Sequence, residues 1–447
     1  MNKVTVIGAG LAGSEAANVI ASFGVPVDLY EMKPAKMSPA HHSEGFAELV
    51  CSNSLRAANI ENAVGLLKEE LRRLGSLIME AADSSAVPAG GALAVDRDEF
   101  SSYITEKIRS NPLINVISEE VTKIPEEGIT VIATGPLTSD ALYDAIMELT
   151  DKNDLHFFDA AAPIVSLESI DMTKAFKQSR YGKGGDDYIN CPMNKEEYLR
   201  VYNALITAER AEVKDFDKET VFEGCMPIET MASRGEDTMR YGPLKPVGLT
   251  DPRTGEEPYA CLQLRQDDRE GTMYNLVGFQ TRLKWPEQKR VFGMIPGLEN
   301  AEYLRYGVMH RNTYLNSPRL LTNHYEMRSR KGLFFAGQMT GVEGYIESTA
   351  SGFLAGLYAA LEALEEDGRT IEFEEPGSDT VIGSMANYIS DPSIKELVPM
   401  NANFGLVTPY SGKFKGKDKK KQKNHAIAER ALAKIDGFAT IINTVRR

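Results

Sequence analysis

The sequence predicts an α/β protein in which a parallel-sheet fold is interrupted by an inserted α+β domain. Three observations predict it. The chain opens on an apolar run, Val4–Ile7, that breaks into Gly8-Ala9-Gly10-Leu11-Ala12-Gly13, and the next apolar run, Val25–Tyr30, ends in Glu31. Two later apolar runs, Ile129–Ile132 and Leu333–Ala336, each end in a glycine turn. Between those two, from about residue 160 to residue 325, strands read less regularly, Pro is frequent, and charges mix with Tyr and Phe. Residues 1–160 and 326–447 are therefore read as two parts of one fold, flanking an insertion over 161–325.

Each element has a physical job. Val4–Ile7 is a buried strand, and the chain after Gly13 starts a helix. Gly8 permits a tight turn, Gly10 lets the backbone approach a pyrophosphate, and Gly13 lets the helix pack closely on the strand. The helix N-terminus offers N–H groups to phosphates. Glu31 can accept hydrogen bonds from a ribose 2′-OH. Gly8, Ala9, Gly10, Leu11, Ala12, Gly13 and Glu31 are thus the expected dinucleotide-binding residues. Glu61–Leu74 carries Val64, Leu67, Leu71 and Leu74 at helical spacing. Asp96–Ser110 reads as another helix, with Asp98 near its start and Pro112 beyond its end. Ile129–Pro136 is a strand ending in Ala-Thr-Gly, as in flavoproteins with a Rossmann-like, glutathione-reductase-like FAD-binding fold. Lys331–Gly341 repeats the strand and glycine turn and leads into a helix of small residues, Ser348–Leu364. In that fold Gly337 and Gln338 fall at the flavin and ribityl end of FAD. No second complete G-x-G-x-x-G follows a strand: Gly182–Gly185 lacks the strand and the spacing. A nicotinamide cofactor would therefore dock transiently against the flavin.

Composition narrows the function. The 447 residues allow two or three domains. There is no run of eighteen apolar residues, and the first residues are a core strand rather than a leader, so a cytoplasmic protein without a membrane span is expected. Four cysteines, Cys51, Cys191, Cys225 and Cys261, form no C-x-x-C, which weakens a zinc site and a dithiol and predicts reduced thiols. His41-His42 has no further ligand at metal spacing, so no metal is expected. The net charge of −14 disfavours a generic nucleic-acid binder. Ser411–Lys423 opposes that trend with seven lysines, at 413, 415, 417, 419, 420, 421 and 423. It reads either as a solvated loop before the last helix or as a strip that contacts phosphates.

Cys51 lies in Glu48-Leu49-Val50-Cys51-Ser52-Asn53-Ser54-Leu55-Arg56, after the phosphate-binding region and before a helix. Cys225 lies in Phe222-Glu223-Gly224-Cys225-Met226-Pro227-Ile228-Glu229, where the glycine and proline indicate a defined turn. Each is either a small buried residue or a thiol activated by a helix N-terminus or a nearby cation. Arg265–Arg311 interleaves cations, amides and aromatics and runs into Met309-His310-Arg311-Asn312-Thr313. It is a polar domain face or a pocket for a planar anionic ligand.

These segments together resemble one family over essentially the full chain: the folate- and FAD-dependent tRNA (uracil-5-)-methyltransferases, TrmFO. The carrying motifs are Gly8–Gly13, Val50–Ser54, Glu223–Glu229, Tyr274–Thr281, Glu287–Phe292, Met309–Thr313 and Phe334–Tyr345. Related flavoproteins that modify the tRNA wobble uridine carry an added C-terminal helical domain, and this chain ends soon after its lysine stretch. The resemblance implies FAD as cofactor, 5,10-methylenetetrahydrofolate as one-carbon donor and NAD(P)H as reductant. The substrate would be the T-loop uridine of tRNA, methylated at C5 while a cysteine thiolate adds to C6. The family's two functional cysteines fall on Cys225 and Cys51: Cys225 would be the C6 nucleophile and Cys51 the second thiol, and the reverse order fits the same motifs. His310 would stack on the pterin, and Lys284 or Arg311 would hold the folate's acidic tail. The target base must be flipped out of the folded RNA. With an RNA substrate, the lysine stretch, Lys415, Lys419, Lys420 and Lys421 in particular, becomes the expected phosphate contact. A monomer is expected.

Three other functions share parts of this pattern. The same chemistry on a ribosomal RNA uridine would leave the flavin and folate sites unchanged. A flavin oxidoreductase without RNA would carry a C-x-x-C or a second nucleotide motif, and a non-catalytic RNA-binding scaffold would not need both cysteines.

Overall fold

The computed structural model describes residues 2–38, 40–150, 155–160, 162–182, 185–211, 220–221, 226–268, 270–307, 309–369, 371, 374–395, 397–412, 414, 416 and 418–446, with backbone alone at 155–160, 220–221 and 309–313. Its first elements are β1 (Val4–Ile7), α1 (Leu11–Ser22), β2 (Val27–Glu31), β3 (Ser54–Ala57), α2 (Ala63–Arg73), α3 (Leu77–Ser84), β4 (Ala86–Val87), β5 (Ala92–Val95), α4 (Arg97–Ser110), β6 (Ile114–Ser118), β7 (Ile129–Ile132) and α5 (Asp140–Leu149). Then come β8 (Leu155–Ala160), β9 (Ile164–Ser166), β10 (Phe176–Lys177), β11 (Tyr188–Met193), α6 (Lys195–Thr207), β12 (Thr220–Val221), α7 (Ile228–Ser233), β13 (Ala260–Gln266) and β14 (Met273–Leu276). The order closes with α8 (Trp285–Phe292), β15 (Tyr303–Arg305), β16 (Met309–Tyr314), α9 (Ser317–Leu320), β17 (Leu333–Phe335), α10 (Tyr345–Glu366), α11 (Val381–Ser390) and α12 (Lys419–Val445).

Five strands pair in parallel in the order β17-β7-β1-β2-β6. Their sequences explain the arrangement: β17 is apolar and β7 apolar but for Thr130, and both are buried on both faces, the signature of a parallel strand covered by helices. From β1 the chain builds outward to β2 and β6 on one side and later to β7 and β17 on the other. The carboxyl ends of β1 and β7 therefore flank a topological switch point, where such sheets bind ligands. The small residues of α10 also have a reason. A Cβ on Gly352 would lie 2.2 Å from the Ala12 carbonyl oxygen, and one on Gly356 would lie 2.7 Å from the Ala16 Cα, so α10 crosses α1 at backbone distance.

One core runs through residues 4–146 and resumes over 315–442. A second core lies within 165–301, under a sheet ordered β10-β11-β13-β14-β9-β15 whose strands pair antiparallel. The parallel sheet is thus assembled from two stretches of chain that flank the antiparallel one.

The helix expected over Asp96–Ser110 is α4: Asp96 caps it, accepting from the Asp98 and Glu99 N–H groups, and Asp98 lies in its first turn. Two other local details differ from expectation. The last sheet-associated helix starts at Tyr345 rather than Ser348, because Gly344 (φ 123°) turns the chain into it earlier. The lysine stretch is in part helical: Lys419, Lys420 and Lys421 form the first turn of α12, while Lys413, Lys415 and Lys417 lie outside the described residues. Among the described residues, no helix is long and apolar enough to cross a membrane, and no group of three or more His, Cys, Asp or Glu could hold a metal ion.

Candidate active site

The carboxyl ends of β1 and β7 open into a cleft of about 1220 Å³, counted with the solvent at its mouth. Its floor is Ile7–Ala12, with Glu31 to one side, Thr134–Thr138 opposite, and Gly337, Gln338, Tyr345 and Ser348 at the far end. Each glycine of the turn meets a separate demand. Gly8 has φ 97°, and a Cβ there would meet the Ala133 carbonyl oxygen at 2.8 Å. A Cβ on Gly13 would lie 1.8 Å from the Gly8 carbonyl oxygen, which α1 could not tolerate while packed on β1. A Cβ on Gly10 would meet no protein atom within 4 Å, because it would project into open space at the start of α1. Glu31 is oriented by the chain itself: its carboxylate accepts from the Ala9 N–H at 2.8 Å and the Lys33 N–H at 3.0 Å.

The N-terminus of α1 differs from two others nearby. At α3, the buried Glu15 carboxylate accepts from the Ile78 N–H at 3.0 Å and the Ser76 hydroxyl at 2.8 Å. At α11, Glu70 accepts from the Val381 and Ile382 N–H groups, both at 2.8 Å. Burial raises both carboxyls to about 7. The first turn of α1 has no acidic residue and no side-chain cap. Its positive end therefore fits an anion from outside the chain, and the cleft it faces has room for a dinucleotide. The chemistry of these residues fits a dinucleotide such as FAD, which Gly8–Gly13, Glu31, Gly337 and Gln338 would hold.

Cys51 stands on the cleft wall, half-buried. The Tyr345 hydroxyl oxygen accepts from the Cys51 N–H at 2.9 Å and the Ser52 N–H at 3.2 Å, and lies 3.1 Å from the Cys51 Sγ. With two N–H groups occupying that oxygen, its own O–H is left to donate to sulfur. Burial pushes the Tyr345 phenol well above its ordinary value, so it stays a neutral donor. The segment is clamped across by the end of β13. Arg265 donates to the Asn53 side-chain oxygen at 3.0 Å and the Ser52 hydroxyl at 2.6 Å, and the Asn53 amide donates to the Gln266 carbonyl at 2.9 Å. Arg97 donates to the Leu49 carbonyl and pairs with Asp267 at 2.8 Å. Arg305 sits in the field of Arg97, Tyr345, Glu48 and Asp267, and its Nε and Nη2 are buried without a partner among the described residues. Cys51 is thus held by the Tyr345 hydroxyl within the field of the buried Arg97 and Arg265 guanidinium groups.

Comparison with known proteins is decisive. The family model described as glucose inhibited division protein A matches residues 3–367. A protein of Acetivibrio thermocellus named methylenetetrahydrofolate–tRNA-(uracil-5-)-methyltransferase TrmFO is 62% identical over 432 residues, covering 97% of this chain and 97% of that one. A protein of the same name from Listeria monocytogenes serotype 4b is 60% identical over 437 residues, covering 98% and 99%. This chain belongs to the TrmFO family. The solved structure of Aquifex aeolicus GidA shares its fold, with TM-score 0.70 at 16% identity over 98% of this chain and 73% of that one.

Not every residue singled out in the TrmFO-like sequence reaches the cleft. Gly8, Ala9, Gly10, Leu11, Ala12, Glu31, Gly337, Gln338 and Cys51 line it, and Gly13 supports its floor from behind. The Gln338 amide donates to the Tyr314 hydroxyl at 2.9 Å and to Glu343 at 2.8 Å, which fixes its direction. His41 also lines the cleft, although it read only as part of a loop pair. His310 and Arg311 lie on β16, whose backbone runs beside 135–137 at the cleft edge. Lys284 is not at the cleft: it precedes α8, is exposed, and pairs with Glu209 at 2.8 Å. Cys225 and Lys415 fall outside the described residues. Tyr345, Arg97 and Arg305 were missed as site residues. Tyr345 had a signal in its position directly after a glycine at a helix start, and Arg305 in the cationic and aromatic run that contains it.

Proposed function

We propose that this chain is a methylenetetrahydrofolate–tRNA-(uracil-5-)-methyltransferase that uses FAD and a reduced nicotinamide cofactor. The observation that carries the reading is Cys51: a thiol with a phenol donor at 3.1 Å, set in the wall of a cleft built for a dinucleotide. Membership of a family whose named members are such enzymes supports it. When bound, FAD supplies the redox chemistry and the handling of the one-carbon unit.

The chain's own residues do the rest. The target uridine is flipped out of its loop, at a few kcal/mol of unstacking. The thiolate of Cys225 adds to C6 of the uracil: the S–C6 bond forms as the C5–C6 double bond opens, leaving C5 nucleophilic. Once C5 has gained its carbon, Cys51 takes the C5 proton; a hydride equivalent, which the reduced cofactor would supply, brings that carbon to the methyl level, and the Cys225 sulfur leaves as the C5–C6 double bond re-forms. Tyr345 holds the Cys51 sulfur in place for the proton transfer. His310 and Arg311, on β16, would be the folate contacts that family membership suggests. Lys284, in its ion pair, is a poorer candidate for the folate tail than Arg311. The lysines at the start of α12 would meet RNA phosphates.

The test incubates the purified protein with methylenetetrahydrofolate, NADPH, and tRNA or ribosomal RNA transcripts in separate reactions, then analyses the nucleosides by mass spectrometry. 5-Methyluridine in the tRNA alone is the expected result. Methylation of ribosomal RNA alone, or of neither, would overturn the reading.

A further inference from the structure

The insertion carries an aromatic feature outside the cleft. Trp285, the only tryptophan in the chain, is 59% exposed at the start of α8. One face of its indole stacks on Tyr306, with ring centroids 5.2 Å apart and planes 12° from parallel. Tyr306 in turn stacks on Tyr303, at 5.0 Å and 5°. The three rings form an offset ladder that runs from a partly buried base at Tyr303 to an open face at Trp285.

The ladder is built by backbone geometry rather than by chance contact. In a regular strand, residues three apart point to opposite faces. Here β15 pairs with β9 as Tyr303↔Val165 and Arg305↔Ile164, so one extra residue is inserted on β15. That bulge puts Tyr303 and Tyr306 on one face and Arg305 on the other. Gln288, fully buried on α8, then ties the helix to the residue after Tyr306. Its amide donates to the Gly307 carbonyl and accepts from the Gly307 N–H, both at 2.8 Å, and donates to the Leu283 carbonyl at 2.7 Å. Trp285 and Tyr306 are therefore held in register from both sides.

We propose that the open face of Trp285 is a stacking platform for an unpaired nucleobase of the RNA substrate, next to the base that is methylated. This rests on the reading that the substrate is RNA. Three observations favour a base over other occupants. The platform is open rather than concave, so it offers a free small molecule too few contacts, whereas a base arrives with the rest of its RNA already bound. β15 is the edge strand of its sheet, with Arg305 facing the Cys51 cluster and the ladder on the opposite face. An RNA strand that crosses this edge meets the cationic site on one side and the ladder on the other. Finally, stacking accepts any base, which suits an enzyme that recognises loop shape.

Because Trp285 is the sole tryptophan, its fluorescence reports on this site alone. Titrating the flavin-loaded protein with a T-loop RNA hairpin should quench that emission, saturating at the concentration set by the RNA KM. Trp285→Ala should raise the RNA KM about ten-fold with kcat nearly unchanged and the flavin spectrum intact, and Trp285→Phe should restore most of the loss. If the wild-type protein methylates the RNA without quenching, and Trp285→Ala leaves the KM unchanged, the platform is overturned and the function stands. If methylenetetrahydrofolate quenches the emission and RNA does not, the ladder serves the pterin and the proposal fails. If the wild-type protein neither binds nor methylates RNA, the functional reading falls and the platform with it.

Discussion

Two helix N-termini in this molecule face phosphates under the proposed function, and they do so by different physics. The start of α1 is buried under Gly8–Gly13 and presents backbone N–H groups in fixed directions. The start of α12 is exposed and carries Lys419, Lys420, Lys421 and, one turn in, Lys423. Cations at the positive end of a helix are unfavourable by roughly 0.3–1 kcal/mol each when unscreened. Lys421 is partly compensated by Glu61 at 3.4 Å, and the Asn424 amide anchors the same loop through the Glu61 carbonyl at 2.9 Å. Buried geometry selects one ligand; exposed charge attracts any polyanion and is weakened by salt. A third case, the α11 terminus closed by the Glu70 carboxyl group, shows what a buried helix start looks like when its acceptor is internal.

The sharpest way to break this contrast is in the glycine turn. Gly13→Ala should abolish flavin-loaded protein altogether, because the new Cβ would sit 1.8 Å from the Gly8 carbonyl oxygen. Gly10→Ala should leave folding intact, with nothing within 4 Å, yet block the approach of the pyrophosphate. Thermal melts and flavin absorbance separate the two: one variant fails to fold, the other folds colourless. A yellow Gly10→Ala protein would remove the argument for that glycine.

Cys51→Ala comes next. It should keep its flavin and lower kcat for methyl transfer by about 10²- to 10⁴-fold, the usual worth of a proton-transfer group. Turnover within a few-fold of wild type would exclude Cys51 as the proton acceptor. At α12, changing Lys419, Lys420, Lys421 and Lys423 together to Gln should raise the RNA KM. It should also flatten the slope of log affinity against log salt by about 0.7–0.9 for each phosphate that is no longer neutralised. An unchanged slope would move RNA recognition away from this helix.

The smallest effect probes the internally closed terminus. Glu70 binds a proton in the folded state up to about pH 7, against 4.5 for the ordinary carboxyl. Between those values the folded protein holds more protons than the unfolded chain, so stability falls as pH rises through this window. The melting temperature of wild type should therefore drop more steeply from pH 5 to 7.5 than that of Glu70→Gln, and equal slopes would contradict the assignment.

The parallel sheet and the cleft at its carboxyl edge were legible because their determinants are local. Gly8, Gly10, Gly13 and Glu31 lie within one β-α-β unit, and apolar runs such as Ile129–Ile132 declare buried strands. The chemistry around Cys51 was not, because its partners are remote. Arg265 reaches Ser52 from 213 positions away and Tyr345 reaches Cys51 from 294. Only the folded sheet brings them together, and with them Arg305 into the field of Arg97 and Tyr345. The lysine stretch reads as a solvated loop or a phosphate-contacting strip, and the sequence did not show that Lys419, Lys420, Lys421 and Lys423 lie in α12, which packs on α2. Lys284, which the resemblance offered for the folate tail, is paired with Glu209, a partner 75 positions away that the sequence does not show.

One salt titration tests most directly whether this chain binds both a dinucleotide and an RNA, each by its own physics. The purified yellow protein is taken from about 50 mM to about 200 mM salt while bound flavin and the KM for a tRNA transcript are read in parallel. Across that range the RNA affinity should fall steeply, as expected for several phosphate contacts, while the flavin stays bound. Flavin that leaves in step with the RNA, or an RNA KM indifferent to salt, would contradict it.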